Sequence, residues 1–151
     1  MSPALQSASL ALISYGQASD ILAAALADAS RRGVKLSFAI LDSAGHLVAA
    51  ARMDGAPFIT TEVARGKAFA VAATGGQPGS ALAQRYRDNP MVWANAAALG
   101  LGAPMLPAQG ALPIFLHGQL IGAIGASGAP SEVDEAVIAH AIATIGATTA
   151  P

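Results

Sequence analysis

This 151-residue chain predicts an α+β fold with an antiparallel sheet, and three observations carry that prediction. Two strand-like stretches turn back on themselves through short turns, at Asp42-Ser43-Ala44-Gly45 and at His117-Gly118. So tight a connection pairs its strands antiparallel. Apolar residues at helical spacing occupy the chain around those hairpins. With the order helix, hairpin, helices, hairpin, helix, those tight hairpins make the fold α+β rather than doubly wound. At about 100–200 residues per domain, the length holds one domain, taken as residues 1–151.

An apolar lead-in, Leu5 to Ile13, runs into Ser14-Tyr15-Gly16-Gln17, with Ser at N-cap and Gln at N3 of a capping box. Ile21, Leu22, Ala25 and Leu26 recur at helical spacing, Arg31 and Arg32 suit the negative end of the dipole, and Gly33 suits C′. A helix is predicted over about 15–32. Val34 to Leu41 begins with polar Lys35 and Ser37 alternating against Val34, Leu36 and Phe38, a strand period, and His46 to Met53 returns after the turn. Asp54-Gly55-Ala56-Pro57 is a loop. Thr60 or Thr61 is expected to cap a helix that carries Glu62 in its first turn and stops near Ala73 at Gly75-Gly76. A shorter helix at about 80–87 follows, then a helical turn from Asn89 with Pro90 at N1. Leu112 to Leu116 and Gln119 to Ser127 form the second hairpin, and Ser131 opens a last helix that Gly146 ends. Ser131 and Asp134 are read as its capping box.

The two hairpins also echo each other. Gly45-His46-Leu47-Val48-Ala49-Ala50 lines up with Gly118-Gln119-Leu120-Ile121-Gly122-Ala123 at a constant offset of 73 residues. Similar turn-and-strand chemistry in a chain with 38 alanines is the plainer account.

Composition excludes several classes. Eight Lys and Arg against nine Asp and Glu give no basic excess, so a nucleic-acid partner is not expected. The absence of cysteine removes disulfides, thiolate nucleophiles and thiolate metal sites, and no His-x-x-x-His pair stands in for them. No metal site is expected. Between Asn89 and Ser131 the chain carries no charged residue. A membrane span needs about 20 continuous apolar residues, and Pro104, Pro107, Pro113, Gln109, His117 and Gln119 interrupt this run. The expected partner is instead a second copy, covering part of the uncharged surface in a homo-oligomer. No Lys or Arg precedes Arg31, so a secretory signal is unsupported and the cytoplasm is the expected location.

Four motifs carry a resemblance. Arg52-Met53-Asp54-Gly55-Ala56, the helix around Lys67-Ala68, Gln109-Gly110-Ala111-Leu112-Pro113-Ile114, and Ile121 to Gly128 followed by Asp134-Glu135 resemble the GlcG/HbpS family, which includes the C-terminal domain of PduO-type proteins. The resemblance spans about residues 9–146, with order and spacing of the motifs in agreement. It implies a profilin-like, GlcG-like central antiparallel sheet flanked by helices, assembled into dimers or larger rings. It implies a small-molecule ligand, with haem or another tetrapyrrole as the one the family suggests. Haem-binding PduO-type members use a His near the first helix, whereas the first His here is His46.

The candidate residues are few because charges are few. Arg52, Met53, Asp54, Phe58, Glu62, Trp93, Gly110 and Pro113 are the ligand-binding candidates. Among them Arg52 offers a fork for a carboxylate or propionate, and Phe58 and Trp93 offer an aromatic wall. Lys67, Asp134 and Glu135 are the catalytic candidates if the chain is instead a cofactor-free isomerase, hydratase or lyase acting on a small organic acid. In that reading Arg52 clamps the carboxylate while Lys67 with Asp134 or Glu135 moves a proton. A third reading is a scaffold subunit. Plainer roles stand beside each residue: a local Arg52–Asp54 salt bridge, a solvated or inter-subunit Lys67, and core packing for Phe58 and Trp93. His46, His117, His140, Met53, Met91 and Met105 are the side chains that could ligate a haem iron. His46 and His117 are read as turn-neighbouring surface residues. Gly122 and Gly125 inside a strand mark a close approach of ligand or backbone.

Overall fold

The computed structural model describes residues 7–151, so Leu5 and Gln6 of the expected lead-in lie outside the described residues. The elements are α1 (Tyr15–Arg32), β1 (Ser37–Asp42), β2 (Leu47–Arg52), α2 (Ile59–Ala73), α3 (Gly79–Asp88), α4 (Pro90–Ala97), β3 (Ala111–Leu116), β4 (Gln119–Ser127) and α5 (Ser131–Thr144). The four strands form one antiparallel sheet in the order β2-β1-β4-β3. α1 and α5 pack together on one face and α2 lies on the other, with α3 beside α2 and α4 beside α3. An α+β architecture with helices on both faces is therefore present.

Local chemistry explains the ends. Ser14 and Gln17 form the reciprocal capping box expected for α1, and Gly33 closes the helix in the left-handed region at φ 73°. His117 at φ 51° and Gly118 at φ 76° make the β3–β4 turn, both left-handed as a two-residue hairpin turn requires. Pro113 is tolerated in β3 because that strand has β4 on only one side.

Two expected caps are corrected. α2 begins after Phe58 with no side-chain cap. Thr60 and Thr61 turn instead to Ser37 across the layer, at 2.7 and 3.2 Å between hydroxyl oxygens. Pro130, not Ser131, takes the N-cap of α5, and it has no side-chain cap hydrogen bond. Asp134 is thereby freed from capping.

β1 is buried along its whole length, and its alternate residues feed two cores. Leu36, Phe38 and Ile40 join the cluster under α1 and α5, while Leu41 joins the cluster under α2 with Val71, Leu82 and Trp93. α2 rides closest to β4: a Cβ built at Gly125 would collide with the Ala64 carbonyl and stand 3.1 Å from the Ala68 nitrogen. Gly122 in turn faces the Leu41 carbonyl too closely for any side chain. The close approach expected at these two glycines is therefore backbone against backbone. The 73-residue echo does not extend to environment. β2 is an edge strand with exposed residues, whereas β4 is central and buried over Ile121–Ala126.

Candidate functional site

The candidate residues fall into separate groups. In the first, Lys67 on α2 and Asp134 on α5 meet at the end of β4, Nζ to Oδ2 at 3.5 Å. Lys67 also donates to the Ala126 carbonyl at 3.1 Å, and Asp134 accepts from the Ala129 amide at 3.1 Å. Gly110, at φ 108°, leaves the space that this pair fills, because a Cβ there would lie 2.8 Å from Nζ. Both side chains are sealed, at 8% and 2% exposure. Lys67 is thus neither solvated nor on an outer face. Burial raises the Asp134 carboxyl above its ordinary value, and the Lys67 ammonium and the Ala129 amide oppose that shift without cancelling it. Glu135 follows on the rim and accepts from Gln109 Nε2 at 3.0 Å. Sequence reasoning passed over Glu132, three residues before Glu135, whose charge pushes Asp134 further up.

The second group is Arg52, Met53 and Asp54, which line one open cleft with Leu26, Val34 and Lys35 at the end of α1. Arg52 spends one donor on the Ala56 carbonyl at 2.9 Å. Among the described residues, the Arg52–Asp54 salt bridge expected from the sequence does not form. The Met53 sulfur accepts the Leu36 amide at 3.4 Å.

Trp93 belongs to a third place. It is buried on one side in the core under α2 and on the other borders a cleft of about 350 Å³ with Tyr86, Met105, Leu106 and Pro107. The Arg85 guanidinium lies over its ring at 5.1 Å. Phe58 and Glu62, expected beside Arg52, sit exposed around the start of α2, with Phe58 at 84% exposure. Pro113 is buried within β3.

A fourth place went unread in the sequence. The β1–β2 turn overhangs a cleft of about 440 Å³ bordered by Ser43, Gly45, His46, Phe69, Ala73 and Leu101. Asp42 organises the turn, its Oδ1 accepting the Ala44 and His46 amides at 3.0 Å each. Its Oδ2 lies 3.5 Å from His46 Nδ1. The Asp42-x-x-x-His46 spacing across a tight turn was the available signal. Among the described residues, no three His, Asp or Glu side chains cluster to hold a metal ion on their own.

A family model described as "Haem degrading protein HbpS-like" matches residues 13–143. The chain belongs to the HbpS-like family. Protein GlcG of Escherichia coli K12 is 32% identical to this HbpS-like chain over 117 residues, 77% of this chain and 81% of that protein. The crystal structure of a double mutant of Streptomyces reticuli HbpS matches with TM-score 0.79 at 26% identity, covering 97% of this chain and 94% of that one. The crystal structure of the PduOC:heme complex shares the fold, with TM-score 0.82 at 24% identity over 93% of this chain and 99% of that one. No helix described in this HbpS-like chain is long and apolar enough to cross a membrane.

Proposed function

We propose that this chain binds a small ligand with a flat apolar body and anionic groups, haem or another tetrapyrrole, on its α2 face beside the uncharged Asn89–Ser131 segment. One observation carries the reading. That segment leaves large apolar side chains in the open beside two concavities. Met91, Val92, Leu99 and Leu101 are exposed, yet clefts of about 350 and 440 Å³ border Trp93 and Phe69. Both volumes fall in the roughly 300–1,000 Å³ range of ligand sites; the cleft beside Trp93 has the mostly apolar wall of such a site, and exposed apolar surface of this kind marks a binding face.

The residues present fit a tetrapyrrole. At the Trp93 cleft, Trp93 and Met105 offer apolar faces, Arg85 over the Trp93 ring offers a cation for a propionate, and Met105 and Tyr86 are ligand types that iron accepts. The description of the family as haem degrading and the haem complex of the PduOC relative support the same ligand. Bound haem would supply the redox chemistry; the chain supplies the slot, the counter-charge and the iron ligand. The proton-transfer reading is less favoured, because Lys67 and Asp134 are sealed against each other. A homo-oligomer, with a second copy covering part of the apolar surface, and a cytoplasmic setting complete the proposal.

Titration with haemin tests it. We expect a shifted Soret band and quenching of Trp93, the single tryptophan, both saturating near one equivalent. An unshifted Soret band with unquenched fluorescence at stoichiometric haemin removes the tetrapyrrole.

A further inference from the structure

Independently of the tetrapyrrole reading, we propose a second ligand site at the edge of the sheet where β2 meets α2, in which Arg65 and Arg52 hold a small dicarboxylate. An orphaned donor carries the inference. Arg65 on α2 is half-buried, and its Nε is, among the described residues, the one buried side-chain nitrogen or oxygen without a hydrogen-bond partner. A buried N–H costs free energy unless an acceptor meets it, and native structures leave few in that condition. The ion pairs among the described residues include neither Arg65 nor Arg52. Even Glu62, three residues before Arg65 on the same helix, does not close on it.

Register brings Arg52 to the same place. Ser37 of β1 turns its hydroxyl to Thr60 and Thr61 of α2, and Arg52 is the residue opposite Ser37 on β2. Directly opposed residues project from one face of a sheet, so Arg52 also stands on the α2 side. Arg65 lies one helical turn beyond Thr61, and a long helical side chain leans back over the turn that precedes it. The two guanidinium groups therefore approach the Ser37–Thr61 contact from strand and helix. Arg52 gives one N–H to the Ala56 carbonyl at 2.9 Å, which steadies it and leaves its other donors open. Ala50, the next β2 residue on that face, is exposed and pairs with Ala39, so only methyl groups floor the space for a short carbon chain.

The donor set selects the ligand. Nearby hydroxyls are already engaged, Thr60 with the Pro57 carbonyl and both threonines with Ser37. What remains is two planar forks, which match the planar oxygen pairs of two carboxylates. The first turn of α2, without a side-chain cap, adds positive potential. Glu62 and Asp54 are exposed acids beside the arginines and oppose it.

Calorimetric titration of the full chain with succinate, acetate, inorganic phosphate and uncharged succinamide tests the site. Succinate should bind wild type at one per chain, more tightly than acetate or phosphate, and succinamide should not bind. Arg65→Gln and Arg52→Gln should each weaken succinate binding roughly 10- to 100-fold. Arg65→Lys keeps the charge but loses the fork, and should also bind more weakly than wild type. Glu62→Gln should bind more tightly, and Arg87→Gln, at an exposed position on α3, should match wild type. Thermal unfolding reads the same residue another way. Without ligand, Arg65→Met should melt above wild type, because the unmet buried donor is gone. Succinate should raise the melting temperature of wild type and leave that of Arg65→Met where it is. Succinate binding that survives Arg65→Gln, phosphate binding tighter than succinate, or no succinate binding to wild type at millimolar concentration overturns the site. Arg65→Met melting below wild type would mean that the guanidinium is already satisfied, which overturns it too. None of these outcomes bears on haemin binding, which is read separately.

Discussion

Lys67 and Asp134 show what single residues contribute. Removing one partner leaves the other charge buried without compensation, so Lys67→Met should cost roughly 3–5 kcal/mol in urea unfolding. Lys67→Met with Asp134→Leu should lie far closer to wild type, because neither charge then needs solvation. A double variant no more stable than the single one would show that the ammonium's bond to Ala126 matters more than the pair. The pH dependence follows from direction. The Asp134 carboxyl is raised above 3.8 in the fold by burial, so between that value and its folded value the native state binds the extra proton. Its contribution therefore declines as pH rises through that window. Asp28 runs the other way. Burial pushes its carboxyl up, but the hydrogen bonds and charges of Arg32 and Arg31 outweigh burial and hold it below 3.8. Its stabilisation is present above 3.8 and is lost as pH falls through its folded value. Urea midpoints against pH should accordingly lose their acid-side fall in Asp28→Asn and their decline above 3.8 in Asp134→Asn; midpoints parallel to wild type in both would contradict the assignment.

Elements are placed here by backbone contact as much as by side-chain burial, and β4 against α2 is the clearest case. Gly125→Ala drives a methyl into the Ala64 carbonyl, which is backbone and cannot step aside. Overpacking of this sort costs typically 1–3 kcal/mol, and a helix that must lift costs at least that. Gly16→Ala, in the first turn of α1 with only Ser14 Oγ at 3.8 Å, should instead gain roughly 0.5–1 kcal/mol. Equal melting temperatures for the two variants would mean that the α2–β4 contact is looser than its geometry. The same contrast marks what was legible in the sequence. The α1 capping box and the His117-Gly118 turn depend on neighbours in the chain, and both are present; the strand glycines answer to distant backbone, yet their type alone marked a close approach. The caps assigned to Thr60 and Ser131 failed because their competitors come from elsewhere: Ser37 opposite α2, and Lys67 opposite α5. His46 looked like an ordinary turn neighbour; the Asp42-x-x-x-His46 spacing was legible, but the nearness of Phe69 has no one-dimensional signature. Lys67, Gly110 and Asp134 were singled out through a family resemblance, but their mutual contact belongs to the fold alone.

At the scale of the whole molecule, large apolar side chains stand exposed at two places. Phe58 and Ile59 stand out at the start of α2, and Met91, Val92 and Leu99 stand out beyond α3. Charge, the usual deterrent to self-association, is missing from the whole Asn89–Ser131 segment. A cleft ligand covers little of α2's first turn. Phe58, at 84% exposure, gains almost nothing from its own fold, so it is the side chain on which the proposed contact with another copy is best tested. The loop it follows is also the one that Arg52 ties down through the Ala56 carbonyl, which places the expected interface beside the Arg52 cleft. Light scattering should therefore give a mass that is a multiple of the 14.9 kDa chain. Phe58→Asp should shift that mass toward the single chain without changing the circular dichroism, because the side chain contributes nothing to the core. A full-size assembly with Asp at 58 would move the interface to the Met91–Leu99 surface, where Val92→Glu should then break it. A wild-type mass of one chain would leave the apolar surface to the ligand alone.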